Sequence, residues 1–294
     1  MLIFRRWNVG ASIMKHLLLA TTAIALVSPS FAADMPVKAP VAAPRPFSWS
    51  SCYLGGNMGT GWGRARLTDT STGNFFFPTT GNFAPTGSSV GINSVGGIGG
   101  GQIGCDYQFA NNWVIGLAGD FSFANIQNEV ADPFFTGKVP GGGSSFIQLK
   151  DQTQWLASAT ARLGYAFDHV LLYGKGGAAW SRNRYTIENL QSWGPTFGFC
   201  GTTGAGGIIT AVSPCNPTGA STLSGWTAGG GIEWAVTDHW SAGVEYDHYG
   251  FGTKTVTLVD PTTLFANPAV GVPVRQQIDT VKITVNYRFN VFGH

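Results

Sequence analysis

Gln277-Ile278-Asp279-Thr280-Val281-Lys282-Ile283-Thr284-Val285-Asn286-Tyr287-Arg288-Phe289 decides the fold. Val281, Ile283, Val285, Tyr287 and Phe289 fall on one face of this stretch, and Thr280, Lys282, Thr284, Asn286 and Arg288 on the other. Side chains alternate across a strand, so one face is apolar with an aromatic end and the other is polar and charged. In a soluble sandwich the apolar face would meet a second sheet. In a membrane barrel it would face lipid, with the polar face inside.

Seven more runs repeat the pattern: Cys52–Trp62, Val95–Phe109, Asn112–Ala124, Thr153–Phe167, His169–Tyr185, Thr222–Val236 and Asp238–Gly250. Each is long enough for the roughly 9–11 residues that a tilted strand needs to cross a bilayer. The connections sort by length. Ala110-Asn111, Asp168-His169 and Thr237-Asp238 are short; Arg64–Ser94, Asn125–Gln152, Thr186–Ser221 and Phe251–Gln276 are long. Short turns on one side and long loops on the other are the layout of an outer-membrane barrel, and a soluble sandwich has no reason to adopt it. The aromatics form two groups. Tyr107, Phe109, Trp113, Tyr165, Phe167, Trp234, Trp240, Tyr287 and Phe289 lie near the short turns; Trp62, Phe123, Trp155, Trp180, Trp226 and Tyr246 lie at the other strand ends. Two such levels match the girdles at the two bilayer interfaces. The expected fold is all-β: an eight-stranded antiparallel up-and-down transmembrane β-barrel with four long outer loops and short periplasmic turns.

Composition agrees. Only 11% of residues are charged and 42 are glycine, which is little charge for a soluble surface. A net charge near +2 gives no footprint for nucleic acid. At the start, Lys15 and His16 precede the apolar run Leu17–Val27 and small residues through Ala33, the form of a cleavable export signal. Met14 is a candidate start. The expected organisation is a signal peptide over 1–33 and a linker over 34–51, rich in Pro and Ala. A barrel over 52–289 and a short tail over 290–294 follow.

The expected inward set carries Asp106, Asp120, Arg162, Lys175, Glu233, Glu245, Asp247, Lys282 and Arg288. Eight strands enclose just enough room for side chains to fill, so these charges should pair into a structural network. The competing reading is a narrow polar path for small solutes. No Ser-His-Asp order, nucleophile elbow or His pair at metal spacing points to an enzyme or calls for a cofactor. Gly99-Gly100-Gly101-Gln102-Ile103-Gly104 matches G-x-G-x-x-G only formally, because strand alternation and not a helix follows it. His169 and His239 fall in turns and His248 at a strand end, where solvation is expected. Two cysteine pairings suit an oxidising compartment: Cys200 with Cys215 inside one long loop, and Cys52 with Cys105 level on the outward face of adjacent strands. The aromatic knots Asn74–Pro78 and Pro133–Phe135 would pack over the barrel mouth or meet partners.

Several segments together resemble a family. Tyr53-Leu54-Gly55-Gly56-Asn57, Gly99–Gly104, Trp113–Phe121, Arg162-Leu163-Gly164-Tyr165 and Val285-Asn286-Tyr287-Arg288-Phe289 are similar to the small outer-membrane β-barrel proteins of alphaproteobacteria. These are called outer-membrane immunogenic or porin-family proteins. Ala33-Asp34-Met35-Pro36 resembles their processed start. The resemblance implies a barrel like the OmpA membrane domain, placed in the outer membrane. It implies a role in envelope integrity or surface interaction, with a small-solute channel or a loop-borne adhesin as alternatives. Expected partners are outer-membrane lipid, the barrel-assembly machinery, and surface or host ligands met through the loops, with the chain a monomer. Family chains commonly end on the aromatic that the assembly machinery recognises. Here Phe289 is assigned that role although Asn290–His294 follow it; Phe292 is the alternative.

Overall fold

The computed structural model describes residues 47–68, 87–131, 148–188, 202–203, 209–211, 216–259 and 270–289. The strands are β1 (Ser51–Thr68), β2 (Ser89–Gln108), β3 (Trp113–Ala131), β4 (Gln148–Phe167), β5 (Val170–Glu188), β6 (Thr202–Thr203), β7 (Ile209–Ala211), β8 (Thr218–Ala235), β9 (Trp240–Leu258) and β10 (Val270–Phe289). Eight of them close a barrel in the order β1-β10-β9-β8-β5-β4-β3-β2, and β6 and β7 form a separate two-stranded ribbon. Every pairing in the barrel is antiparallel, and the β1–β10 register, from Cys52 opposite Phe289 to Leu67 opposite Val274, shuts the ring. Closure gives each of the eight ring strands two hydrogen-bonded neighbours, so no ring strand is left as an edge strand in lipid.

The three short turns lie together at one end with the barrel's two chain ends. Asn112 (φ 66°) and Asp168 (φ 53°) adopt the left-handed conformation that tight turns demand. Asn and Asp are the side chains other than glycine that tolerate it best. In the third turn the backbone N–H of Trp240 donates to Thr237 Oγ1 at 3.0 Å.

The outward wall is apolar between two aromatic levels. Met58 and Leu117 are 69% and 70% exposed, values that only an apolar surrounding explains for residues in the middle of regular strands. Trp113 packs edge-on to Tyr165 at 5.6 Å and Trp240 to Tyr287 at 5.2 Å in the belt beside the short turns. Trp62, Phe123, Trp180, Trp226 and Tyr246 are exposed at the upper belt, toward the long connections.

Here the strands differ from the expectation. Where loops were expected from Arg64 to Ser94 and in the three other long connections, the wall continues several residues above the upper belt. The pattern inverts at that height. Ala65, Leu67, Val90, Ile92, Leu149, Tyr185, Ile187, Val256, Leu258, Val272 and Val274 turn inward and form one buried cluster. Above the lipid the wall stands in water, so apolar residues move to the inside as in a soluble barrel. In β10 the same inward row passes from Arg288, Lys282 and Thr280 to Ile278, Val274 and Val272. In β4 and β9 a bulge shifts the phase as well.

Cys52 and Cys105 stand directly opposite each other in the β1–β2 register and form a disulfide. Cys200 and Cys215 lie outside the described residues, as do the expected signal peptide, the tail after Phe289 and the two aromatic knots.

Candidate functional site

Alternation brings all nine expected charges into the barrel interior, where they sort into two clusters. β10 supplies Arg288, β4 Arg162, β2 Asp106 and β8 Glu233. Arg288 Nη2 lies 3.0 Å from Asp106 and 2.9 Å from Glu233; Arg162 lies 3.4 Å and 2.9 Å from the same two carboxylates. This arginine cluster is charge-balanced. The second lies one layer higher. Lys175 Nζ is 2.7 Å from Glu245 and 3.0 Å from Asp247, and Lys282 Nζ is 3.0 Å and 2.6 Å from the same pair. Asp120 sits 3.8 Å from both lysines and accepts a hydrogen bond from Ser158. Three carboxylates therefore face two ammonium groups.

Neutral donors hold the acids in place. Ser241 Oγ donates to Glu233 at 2.6 Å, and Asn286 Nδ2 donates to the same oxygen at 3.0 Å. Tyr173 donates to Glu245 at 2.8 Å while its ring carries the Arg162 guanidinium at 4.0 Å, which ties the two clusters together. Glycine makes room at two points: a Cβ added at Gly116 would overlap the Asp106 carboxylate, and one at Gly229 would overlap that of Asp247. Charges this buried are tolerated only when paired, and each of the nine has an opposite charge within 3.8 Å.

Apolar layers close the interior below and above. At the short-turn end Trp49 is fully buried with Val114, Ala166, Leu171, Tyr173 and Ala235. Its indole N–H donates to the Asp168 carbonyl at 3.0 Å, its backbone N–H donates to Gln108 at 2.8 Å, and Arg288 lies 4.5 Å over its ring. Above the lysine cluster, Ile98, Ile126, Leu156, Leu223, Tyr249, Phe251 and Ile278 pack across the barrel. Higher still, beyond the upper belt and outside the membrane-spanning part of β4, Asp151 is fully buried with no cation at ion-pair distance among the described residues. It accepts from Ser94 at 3.4 Å and Gln276 at 3.3 Å. Burial raises its carboxyl to about 7. The uppermost apolar cluster lies beyond it.

Sequence reasoning missed three parts of this arrangement. Trp49 stood in a stretch without alternation, and its only signal was an aromatic pair, Phe47 and Trp49, next to the first strand. Asp151 fell in an expected loop. Tyr53 and Tyr173 alternate with outward residues such as Leu54 and Leu172, but nothing in that alternation foretells that Tyr53 accepts from Arg162 at 2.8 Å. His248, expected to be solvated, instead meets Asp279 at 2.7 Å on the outer wall, because both side chains stand on adjacent outward rows at the upper belt. His169 contacts Asp168 in its turn, and His239 stacks on Tyr287. Phe289 ends β10 on the outward face. Among the described residues, no group of three or more His, Cys, Asp or Glu side chains could hold a metal ion.

A model of the outer membrane protein beta-barrel domain matches residues 30–289. The 31 kDa outer-membrane immunogenic protein of Brucella melitensis is 27% identical over 282 residues, covering 94% of this chain and all of that one. The 25 kDa outer-membrane immunogenic protein of Brucella abortus is 23% identical over 279 residues, covering 94% of this chain and 96% of that one. Among solved structures, the chain resembles Neisserial surface protein A at 15% identity and a TM-score of 0.36, covering 81% of this chain and 97% of that one.

Proposed function

This chain belongs to the outer membrane protein beta-barrel domain family, and from that premise we propose that it acts as a closed barrel that anchors surface-exposed loops rather than as a channel or an enzyme. The observation that carries this reading is the filled interior: an apolar floor around Trp49, two ion clusters, and two apolar layers above them. A conducting barrel needs a continuous wetted path, and three apolar layers interrupt one. The carboxylates that a hydrolase would use are held by arginine, lysine, serine and tyrosine.

In this reading residues 1–33 direct export, Phe289 is read by the assembly machinery, and the barrel works as a monomer in the outer membrane. In this reading the barrel end opposite the chain ends, where β1 is joined to β2, β3 to β4, β5 to β8 and β9 to β10, faces the cell exterior, and its four connecting segments supply contacts to surface or host ligands. Proteinase K added to intact cells tests this. It should cut within these four segments and leave the eight barrel strands protected. Cleavage confined to broken cells would overturn the orientation and the surface role with it.

A further inference from the structure

Above the upper belt the barrel wall, its collar, is not continuous. Pairing of β2 with β3 ends where Val95 stands opposite Gln127, which leaves residues 89–94 of β2 and 128–131 of β3 unpaired with each other. Pairing of β8 with β9 ends where Gly225 stands opposite Phe251 and returns only in the bridge of Thr218 to Val259. The other ladders continue above that level. The collar is therefore two four-stranded sheets, β9-β10-β1-β2 and β8-β5-β4-β3. The long connections join β1 to β2 and β9 to β10 within the first sheet, and β3 to β4 and β5 to β8 within the second. The chain crosses between the sheets at the short-turn end. Register shifts at Phe123/Ile126, Thr153/Trp155 and Arg275/Gln276 bend the strands near the base of the splits.

The sheets face each other as in a sandwich: Leu149, Tyr185 and Ile187 of the second pack on the rest of the uppermost apolar cluster, all of it from the first. Lys254 Nζ crosses one split to the Thr222 carbonyl and Asn128 Nδ2 the other to the Asn93 carbonyl, both at 2.6 Å. Asp151 lies in the contact between the sheets. The second sheet carries it, and both of its donors, Ser94 at 3.4 Å and Gln276 at 3.3 Å, stand on the first. Its Oδ1 has no hydrogen-bond partner among the described residues. Tyr185, its register partner on β5, is the titratable group that faces it, and Tyr185 donates instead to Gln276 at 3.2 Å. Glu129, Lys150, Arg184 and Arg275, at neighbouring positions of β3, β4, β5 and β10, stand on the outward rows. An ionised Asp151 thus meets no counter-charge while the sheets touch, and water solvates it once they part. We propose that the collar is a two-lipped mouth whose sheets part when Asp151 ionises and close when it takes up a proton. The closed form, with the carboxyl raised to about 7, holds the proton more tightly than an open form near the ordinary value of about 4. Closure is favoured in acid, and the opening equilibrium rises by up to about tenfold per pH unit between those values. The layer around Ile126, Leu156 and Ile278 lies below the splits, so the barrel stays sealed in both forms.

Thiol labelling of the folded full-length protein in phospholipid nanodiscs tests this. In a C200S/C215S background, A65C places a thiol in the buried collar cluster and A166C one in the buried floor. Each rate is divided by that of the urea-unfolded chain at the same pH, which leaves the opening equilibrium. For A65C this ratio should rise at least about tenfold from pH 5 to pH 7, and with D151N added it should stay level. A166C should not respond to pH. Hydrogen exchange of the β1–β10 ladder above the belt should stay slow throughout, because that ladder lies within one sheet. A rise below about threefold for A65C, or the same rise with D151N, would overturn the proposal. A166C rising in step would mean that the whole barrel unfolds, and a β1–β10 ladder exchanging in step would mean that the collar unravels; either would overturn the two-lipped mouth. Unheated gel mobility verifies the variants' fold. Should D151N misfold, A65C against A166C decides alone: the rise must appear at position 65 and not at position 166.

Discussion

Replacing Arg288 by Met together with Glu233 by Gln should cost much less than the two single replacements added together. Arg288 is 2% exposed and joins Asp106 and Glu233 at 3.0 and 2.9 Å. Without it, two carboxylates share Arg162 alone, and the balanced cluster becomes singly negative in a sealed interior. Breaking a buried pair from one side costs about 3–5 kcal/mol. Glu233→Gln alone leaves two arginines facing Asp106 and should cost a similar amount. The double variant keeps Arg162 beside Asp106, balanced again, with neutral atoms filling most of the space. Its loss should therefore fall short of the sum of the single losses by several kcal/mol, toward or beyond the upper end of the ~0.5–3 kcal/mol usual for neighbouring residues. Equilibrium urea unfolding in phospholipid vesicles, followed by tryptophan fluorescence, measures all three. Water reaching the cluster would screen it, and exposed pairs contribute only about 0–1 kcal/mol. Single losses below about 1 kcal/mol that simply add would refute the reasoning.

Three further perturbations probe other layers. Because the folded barrel holds the Asp151 proton more tightly than the unfolded chain, this residue's contribution to stability falls as pH rises from about 4 through about 7. Asp151→Asn should match wild type near pH 4 and exceed it at pH 8 in vesicle unfolding; a wild-type advantage that grows with pH would contradict this. Gly229→Ala should displace the Asp247 carboxylate and lower stability by roughly 1–3 kcal/mol, the usual cost of overpacking, whereas Gly252→Ala, with open space around it, should change stability by less than about 0.5 kcal/mol. Replacing Cys52 and Cys105 by Ser opens a link between residues 53 positions apart and should destabilise the barrel by up to ~4 kcal/mol; unfolding identical to that of wild type would show that the link contributes nothing.

The residues show what a sequence can reveal here. Strict alternation in β10 placed Lys282 and Arg288 inside and Ile283 and Tyr287 outside, and the same period assigned all nine interior charges. Sorting of the connections by length gave the topology. Alternation with apolar residues outside and polar ones inside ends at the upper belt, because Leu67, Ile92 and Val274 follow the opposite rule in water. Bulges in β4 and β9 hid the remaining strand by shifting the phase. Which acid meets which base was not legible. It depends on register between strands such as β4 and β8, which share no border, and on Tyr173 standing between the two clusters. Trp49 had no periodic signal, because its position follows from a floor that exists only once the ring has closed.

The proposed role rests on a sealed interior. Ion conductance of the purified, folded protein in a planar bilayer, with a heat-denatured control, measures it most directly. The sealed barrel predicts no discrete steps at high protein loading, for wild type and Gly229→Ala alike. Reproducible steps in the folded sample, absent from the control, would mean that ions pass the Trp49 floor and both clusters, and would contradict it.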